Sequence, residues 1–399
     1  MAAFFTRKPK VLCGMLIDIG SGSVTASIAI SKEGAALPEI LYTCRKVLPL
    51  NGTLSSADRI RTTRHALFSV LLDIERAGVM ALQKYDARLH IEKVVVSSTA
   101  PWAYTVAQMI RLEQETPFTV TKRMVDDMIA HAYEQERVQP EAPASGLKKG
   151  YRIVEKTIVD VTLNGYSVDD PYTKQASEIA VTHVRGLLAD PIFHTIEEMQ
   201  KRLLDGTDMH LHTAMLVSYC ALRDLYPRTK NALIALISEE AIEIGLMRDS
   251  VFCESIVTDK GSSTLIRDMA AAGKTIPEES RGYLRAYAQN ALKPAQTKAV
   301  AEVQRDYVHM LDMMHTELRK RYVLPQTVFL VAEPSLTGFF KDTFVEALRD
   351  NTGIGEKNIV PLSADAHTFV AAPPGTLMDP RHALLARFFH KLHACGEVA

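Results

Sequence analysis

Tryptophan, cysteine and long apolar runs are scarce in this sequence. One tryptophan and five cysteines occur among its 399 residues. The cysteines are scattered, with no CxxC pair and no histidine at metal-ligand spacing, so the sequence indicates neither a disulfide framework nor a zinc site. No apolar stretch approaches the roughly 18 residues of a membrane span, and charged residues precede the first apolar run. We therefore predict a protein of the reducing cytoplasm, with no signal peptide, no transmembrane helix and no bound metal of its own.

The charges are nearly balanced. Forty-six basic and 47 acidic residues leave a formal net charge of -1. The overall field of the protein thus attracts neither nucleic acid nor an anionic surface, and we predict no nucleic-acid partner. An apolar content of 47% is enough for two or three packed units.

The pattern of strands and helices divides the chain into several units. Strand and helix signals alternate at first, which is typical of an α/β domain, and the texture changes at Pro117. From Arg267 to Tyr322 the pattern is only helical. The predicted units are a first lobe over residues 1–116, an inserted module over 117–208, a return to the first lobe over 209–228, a second lobe over 229–371 with a reduced helical subdomain at 267–322, and a C-terminal helix over 372–399.

The inserted module carries its own turn signal. The strand "RIVEKTIVDVTLNGY" contains Asn164 and Gly165, a pair that favours a β-hairpin turn, and a second strand, "SEIAVTHVRG", follows. A helix precedes the hairpin and another, opened by Pro191, comes after it. We therefore predict a compact α/β module.

The stretch "LIDIGSGSV" is the strongest candidate for chemistry. An apolar strand ends in Asp18 and turns through Gly20, Ser21, Gly22 and Ser23 into a second apolar run. Glycine lets a backbone come close to a phosphate, and the N–H groups of such a turn carry partial positive charge. The alternative is an ordinary tight hairpin, with Asp18 as a solvated strand end.

The order of these elements resembles the superfamily of actin, sugar kinases and chaperone ATPases, and within it the FtsA/PilM branch. The resemblance rests on "DIGSGSV", "LNGYSVDDP", "KGSSTLIRDMA" and "FLVAEPSLTGFF", which together span nearly the whole chain. It implies a two-lobed actin-like ATPase fold (ribonuclease H-like, α/β) with an inserted small subdomain of the SHS2 type.

The resemblance also implies a nucleotide site that is degenerate here. Asp18 would hold a metal and its water, and the turn after it would bind phosphate. The family's second phosphate turn should follow the strand "NALIAL", where Ala235 replaces the acid and Glu239 stands where phosphate would approach. The alternative second turn is "DKGSST", residues 259–264. The nucleoside turn is altered as well, with Glu333 in place of a glycine and Gly338 farther along.

These features predict a pseudo-ATPase without catalytic residues, acting as an FtsA/PilM-like adaptor at the inner face of the cell membrane, in cell division or type IV pilus assembly. ATP with Mg²⁺ stays open as a ligand. The alternative is an active ATP-binding protein that polymerises at the membrane. A small-molecule kinase is a third reading, and it lacks a placed catalytic acid.

The predicted partner is the cytoplasmic tail of a membrane protein, bound by the insert. The residues that we expect to contact it lie at and beside the hairpin turn: Asn164, Gly165, Tyr166, Asp169 and Asp170. A free strand edge there would accept an extended peptide, and the two acids favour a basic tail. Self-association through the insert is the alternative. The C-terminal helix "PRHALLARFFHKLH" has two readings, a core-packing helix and a lipid-binding one.

Overall fold

The computed structural model describes residues 10–49, 55–135, 150–204, 206–352, 358–362, 366–376 and 378–394. The strands are β1 (Val11–Ile19), β2 (Ser23–Lys32), β3 (Glu39–Val47), β4 (Lys93–Ser98), β5 (Ala103–Thr119), β6 (Tyr151–Leu163), β7 (Tyr166–Ser167), β8 (Gln175–Ala189), β9 (Asp208–Thr213), β10 (Ala232–Ile237), β11 (Ile242–Arg248), β12 (Val251–Thr258), β13 (Val328–Val331) and β14 (Ile359–Pro361).

The helices are α1 (Ser56–Asp73), α2 (Val79–Tyr85), α3 (Lys122–Gln135), α4 (Asp190–Leu203), α5 (Ala214–Leu225), α6 (Ser262–Gly273), α7 (Pro277–Ala288), α8 (Pro294–Arg319), α9 (Thr337–Thr352), α10 (Ala366–Phe369) and α11 (Pro380–Ala394). A π-helical turn at Ile74–Gly78 joins α1 to α2. None of the described helices combines the length and the apolar character that a bilayer span requires.

Two five-stranded sheets repeat one topology. The first has the order β3-β2-β1-β4-β9 and the second the order β12-β11-β10-β13-β14. In each sheet, the first two strands in sequence form an antiparallel hairpin, β1–β2 or β10–β11. The first strand of that hairpin also pairs in parallel with a third strand, β1 with β4 and β10 with β13. The sheets therefore form two equivalent lobes. Their first hairpins, β1–β2 and β10–β11, place two tight turns at corresponding positions.

The insert is a third sheet, with the order β5-β8-β6-β7. Its first strand begins at Ala103, so the predicted start at 117 is too late: the alternating exposed residues of β5 pair with β8 and not with the first lobe. Asn164 and Gly165 do form a turn, with φ values of 50° and 84°. The sequence predicts that this turn leads directly to the long strand β8. In the structure it leads to the two-residue β7 instead, and β8 follows later.

The chain after the insert forms a short strand and then helix α5. The apolar stretch "HLHTAMLVS" (210–218) predicts one continuous strand, but the extended part ends with β9 at Thr213. Helix α5 starts at Ala214 because the Thr213 hydroxyl accepts the Leu216 N–H and caps it. The described residues between 267 and 322 contain no strand, as the purely helical sequence pattern predicts.

Helix α11 packs in the core between the lobes. Its apolar residues Leu384, Leu385 and Phe389 are fully buried, and they join a cluster with α5 and with both five-stranded sheets. The lipid-binding reading of this helix is therefore wrong, because its apolar face is already covered by protein.

Gly14 on β1 allows this helix to approach the sheet. A Cβ added at Gly14 would lie 2.5 Å from the ring of Phe389, which is buried. We expect Gly14→Ala to lower the free energy of unfolding by about 1–3 kcal/mol, the usual cost of overpacking a core. Thermal or urea unfolding measures the change. The control is Gly282→Ala in α7, where the added Cβ meets no atom within 4 Å. Equal stability of the two variants would contradict the packing described here.

Candidate functional site

The β1–β2 turn is closed by backbone hydrogen bonds. The Gly20 N–H donates to the Ser23 carbonyl at 2.8 Å, and the Leu48 N–H donates to the Gly22 carbonyl at 2.8 Å. Asp18 at the end of β1 is 1% exposed and accepts a hydrogen bond of 2.8 Å from the Ser97 hydroxyl on β4. It is therefore a buried group, and the alternative of a solvated strand end is wrong.

The second turn lies between β10 and β11, at residues 238–241. Gly261 packs directly behind it: a Cβ there would lie 2.4 Å from the Ala241 nitrogen. The N–H groups that open α6 donate back to the turn, from Ser262 to the Ser238 carbonyl at 3.0 Å and from Ser263 to the Glu239 carbonyl at 2.7 Å. The segment 259–264 thus supports the second turn from behind, and residues 238–241 face the first turn.

The Glu239 side chain fills the space in front of the first turn. Its Oε1 accepts a hydrogen bond of 2.9 Å from the Ser23 hydroxyl. A Cβ added at Gly22 would lie 2.5 Å from the Glu239 Cγ, and one added at Gly20 would lie 3.0 Å from its Oε2. The two glycines are therefore needed for the approach of a carboxylate from the other lobe of the same chain.

Arg381, the second residue of α11, is the cation at the centre of this site. Its guanidinium lies 3.5 Å from Asp18, 3.6 Å from Glu239 and 3.7 Å from Asp379. The side chain is 6% exposed. Three carboxylates, one from each lobe and one from the start of the last helix, thus converge on one buried positive charge.

The pKa values reflect this shared charge. Burial raises the pKa of Asp18, and Arg381 only partly opposes it. Burial acts on Asp379 in the same way, but Arg381 and Arg45 outweigh it, so the pKa of Asp379 lies below its usual value. Arg45 on β3 adds a second cation, 3.5 Å from Asp379 and 4.0 Å from Glu239. Arg381 and Arg45 thus neutralise the carboxylates of this cluster from within the same chain.

Glu240 forms a second bridge across the cleft. Its carboxylate pairs with Arg59 of α1 at 3.1 Å and with Arg267 of α6 at 2.9 Å. Its backbone N–H donates to the Ser21 hydroxyl at 3.0 Å. Because α1 belongs to the first lobe and α6 to the second, one residue of the second turn ties both lobes together.

The other predicted site residues lie apart from this centre. Glu333 is exposed at the mouth of the cleft. Gly338 lies in the first turn of α9, where its nearest neighbours are atoms of α7. In the insert, Tyr166 is 79% exposed and Asp169 is also exposed.

Two of the predicted partner-binding residues have structural roles. The Asn164 side chain accepts the N–H groups of Ser177 and Glu178, and the Asp170 carboxylate accepts the Tyr172 N–H at 3.1 Å. They shape the loop beside the turn, which leaves Tyr166 and Asp169 facing solvent.

The duplicated sheets and their facing turns are those of an actin-like ATPase fold. The chain is similar to the PilM-PilN type IV pilus biogenesis complex, with a TM-score of 0.59 and 14% identity, over 94% of this chain and 97% of the other. This likeness confirms the predicted fold class. No family model matches the sequence, and no curated protein matches it.

Two more distant structures also align over most of the chain. One is the ethanolamine utilization protein EutJ from Carboxydothermus hydrogenoformans, with a TM-score of 0.41 and 11% identity, over 95% of this chain and 91% of the other. The other is a protein with actin-like ATPase fold from Bacteroides thetaiotaomicron, with a TM-score of 0.41 and 10% identity, over 96% of this chain and 98% of the other.

Sequence reasoning missed the basic half of the site. Arg381 and Arg45 follow no motif, and nothing near Arg381 in the sequence links it to Asp18. The one usable signal is the Asp379–Pro380 pair at the start of the last helix, since an acid before a helix start often marks a cap.

Removal of the central cation tests this geometry. We expect Arg381→Met to destabilise the protein by about 3–5 kcal/mol, because it leaves buried carboxylates without their partner. Thermal unfolding measures this loss.

The matched control is Arg59→Met, which removes a cleft arginine from a carboxylate that Arg267 still holds. This control should lose much less stability than Arg381→Met. If Arg381→Met is as stable as the wild type, then Arg381 does not act as the counter-charge of these acids.

Proposed function

We propose that this protein is a cytoplasmic, membrane-associated adaptor with an actin-like ATPase fold that does not turn over ATP. The observation that supports this proposal is the occupation of the cleft by the protein's own charges. Glu239 lies where the first turn would otherwise bind a phosphate, and Arg381 lies beside Asp18, where a metal would bind. A phosphate would have to displace the Glu239 side chain to reach the first turn, and a metal would have to displace Arg381 to reach Asp18.

The insert is the part of this adaptor that we propose as the docking site for the tail of a membrane protein. On its outer side, β6 pairs with β7 at Thr162 and Leu163. Along the rest of that side, no strand among the described residues pairs with β6. Such an edge accepts an extended peptide. Exposed Tyr166 and Asp169 lie beside it and favour an aromatic contact and a basic tail.

The likeness to a PilM-PilN structure supports a role in type IV pilus assembly over one in cell division. That structure is a complex of type IV pilus biogenesis, and this chain shares its fold. Self-association through the insert is the competing use of the same edge.

Nucleotide binding is the first test. We expect millimolar ATP with Mg²⁺ to leave the melting temperature of the wild type unchanged. A site of micromolar affinity would instead stabilise the native state by about 4 kcal/mol, or several degrees. Mg²⁺ alone is the control for a metal effect. A rise of several degrees that requires ATP would favour the alternative, an ATP-binding protein that polymerises.

Charge reversal in the insert is the second test. We expect Asp169→Lys with Tyr166→Ala to abolish co-purification of the membrane partner from detergent extracts, because a basic tail would then meet a like charge. The matched control is Asp126→Lys with Asp127→Lys, which reverses two exposed charges on α3 of the same insert. If both variants keep the partner, the turn of β6–β7 is not the docking site.

A further inference from the structure

The strand β5 forms one edge of the insert sheet, on the side opposite to β6 and β7. In the order β5-β8-β6-β7, only β8 pairs with it among the described strands. The beginning of β5 is covered on its outer side, because the Thr105 carbonyl accepts the Ser255 hydroxyl of β12 at 2.7 Å. Farther along, from Met109 to Glu113, no residue that the structure describes bonds to the outer side of the strand.

The pairing of β5 with β8 identifies the backbone groups that point outward. Directly before β5, the Ala189 N–H donates to the Trp102 carbonyl at 2.8 Å, which marks a hydrogen-bonded pair with β8. Such pairs alternate with non-hydrogen-bonded ones along an antiparallel ladder, and the register of β5 on β8 does not shift before Glu113. The odd-numbered residues from Ala103 to Glu113 therefore direct their N–H and C=O groups away from β8. The bond from Ser255 to the Thr105 carbonyl agrees with this assignment.

The uncovered part of β5 carries a cation and an anion two residues apart. The Arg111 side chain is 59% exposed and pairs with Glu178 of β8 at 2.7 Å. Glu113 is exposed and has no ion pair within the described parts of the chain. Residues two apart on a strand face the same way, so Met109, Arg111 and Glu113 share one face of the sheet. Leu112 lies on the other face, where it packs against the core of the insert.

This segment is complementary to itself in one antiparallel register. Two copies related by a two-fold axis present the same strand to each other, and the residue on the axis defines the register. An axis at Leu112 places Arg111 of each copy opposite Glu113 of the other, and both residues have outward backbone groups. An axis at Arg111 or at Glu113 would place like charges opposite each other, which is destabilising. An axis at Ile110 would separate the two charges.

We propose that this protein forms a symmetric dimer in which the β5 edges of two inserts pair about a two-fold axis at Leu112. The two four-stranded sheets then form one continuous sheet. A charged edge discourages pairing with unrelated strands, whereas a second copy supplies the matching charges. The register shift after Glu113 and the proline at position 117 end the ladder, so the interface is short and the association weak. The β6 edge stays free, because it lies on the other side of the insert sheet.

Charge reversal tests this register, with sedimentation equilibrium over a series of protein concentrations as the measurement. We expect Arg111→Glu and Glu113→Arg each to weaken dimerisation by about tenfold, because both ion pairs become like-charge pairs. An equimolar mixture of the two variants should regain dimers, since every pair in the mixed dimer joins opposite charges again. The double variant should dimerise as the wild type does. The control is Arg123→Glu, which reverses an exposed cation on α3 and should change nothing.

A cysteine on the proposed axis provides a second test that does not depend on charge. Facing Cα atoms of a non-hydrogen-bonded antiparallel pair are about 4.5 Å apart, which a disulfide can bridge. We expect Leu112→Cys to form a disulfide-linked dimer under mild oxidation, seen on a non-reducing gel. The matched control is Gln114→Cys, an exposed position on the same strand. It would face Ile110 of the second copy and should not cross-link to itself.

Several results would each overturn the proposal. They are a wild type that is monomeric at every concentration, single charge variants that dimerise as the wild type does, a mixture that gains no dimers, and equal cross-linking of the two cysteine variants. If a single charge variant misfolds, which circular dichroism detects, the double variant and the cysteine pair still decide the question. None of these readouts involves a nucleotide or the membrane partner, so a failure of the proposed function would leave them unchanged.

Discussion

The ion cluster around Arg381 is the interaction on which the rest of the structure depends. A buried guanidinium is costly to desolvate, and so is each buried carboxylate, unless the charges face one another. Here one cation lies within 3.7 Å of three acids that come from β1, from the turn after β10 and from the start of α11. Removal of the arginine would leave three acids close together with much of their counter-charge gone. The cluster therefore fixes the relative positions of both lobes and the last helix at one point.

The packing of α11 places Arg381 within reach of these acids. Phe389 lies against Gly14 on β1, and the ring nitrogens of His382 and His390 bond to the hydroxyls of Ser27 and Ser31 on β2 at 2.7 Å each. These contacts fix the angle and the register of the helix on the first sheet. Docking of the helix and closure of the cleft are thus parts of one cooperative unit.

The sequence predicts the strands and turns of this unit better than the contacts that join them. The buried strands around residues 11–32 and 232–248 are apolar enough to be read directly, and so the turn at Glu239 is located correctly. Arg381 is missed because its role arises only when the first and last parts of the chain come together. The start of the insert is missed for a different reason: β5 alternates exposed and half-buried residues and lacks the apolar run that marks the other long strands.

The charges in the cleft also set a limit on what a nucleotide could achieve there. A phosphate would have to displace the Glu239 carboxylate and leave it without Ser23 and Arg381. Breaking a buried ion pair costs about 3–5 kcal/mol, which weakens any affinity by roughly two to four powers of ten. A ligand that would otherwise bind at about 1 μM would then bind at about 0.1 to 10 mM. The same cost opposes movement of the lobes, since Glu240 links Arg59 to Arg267 across the cleft.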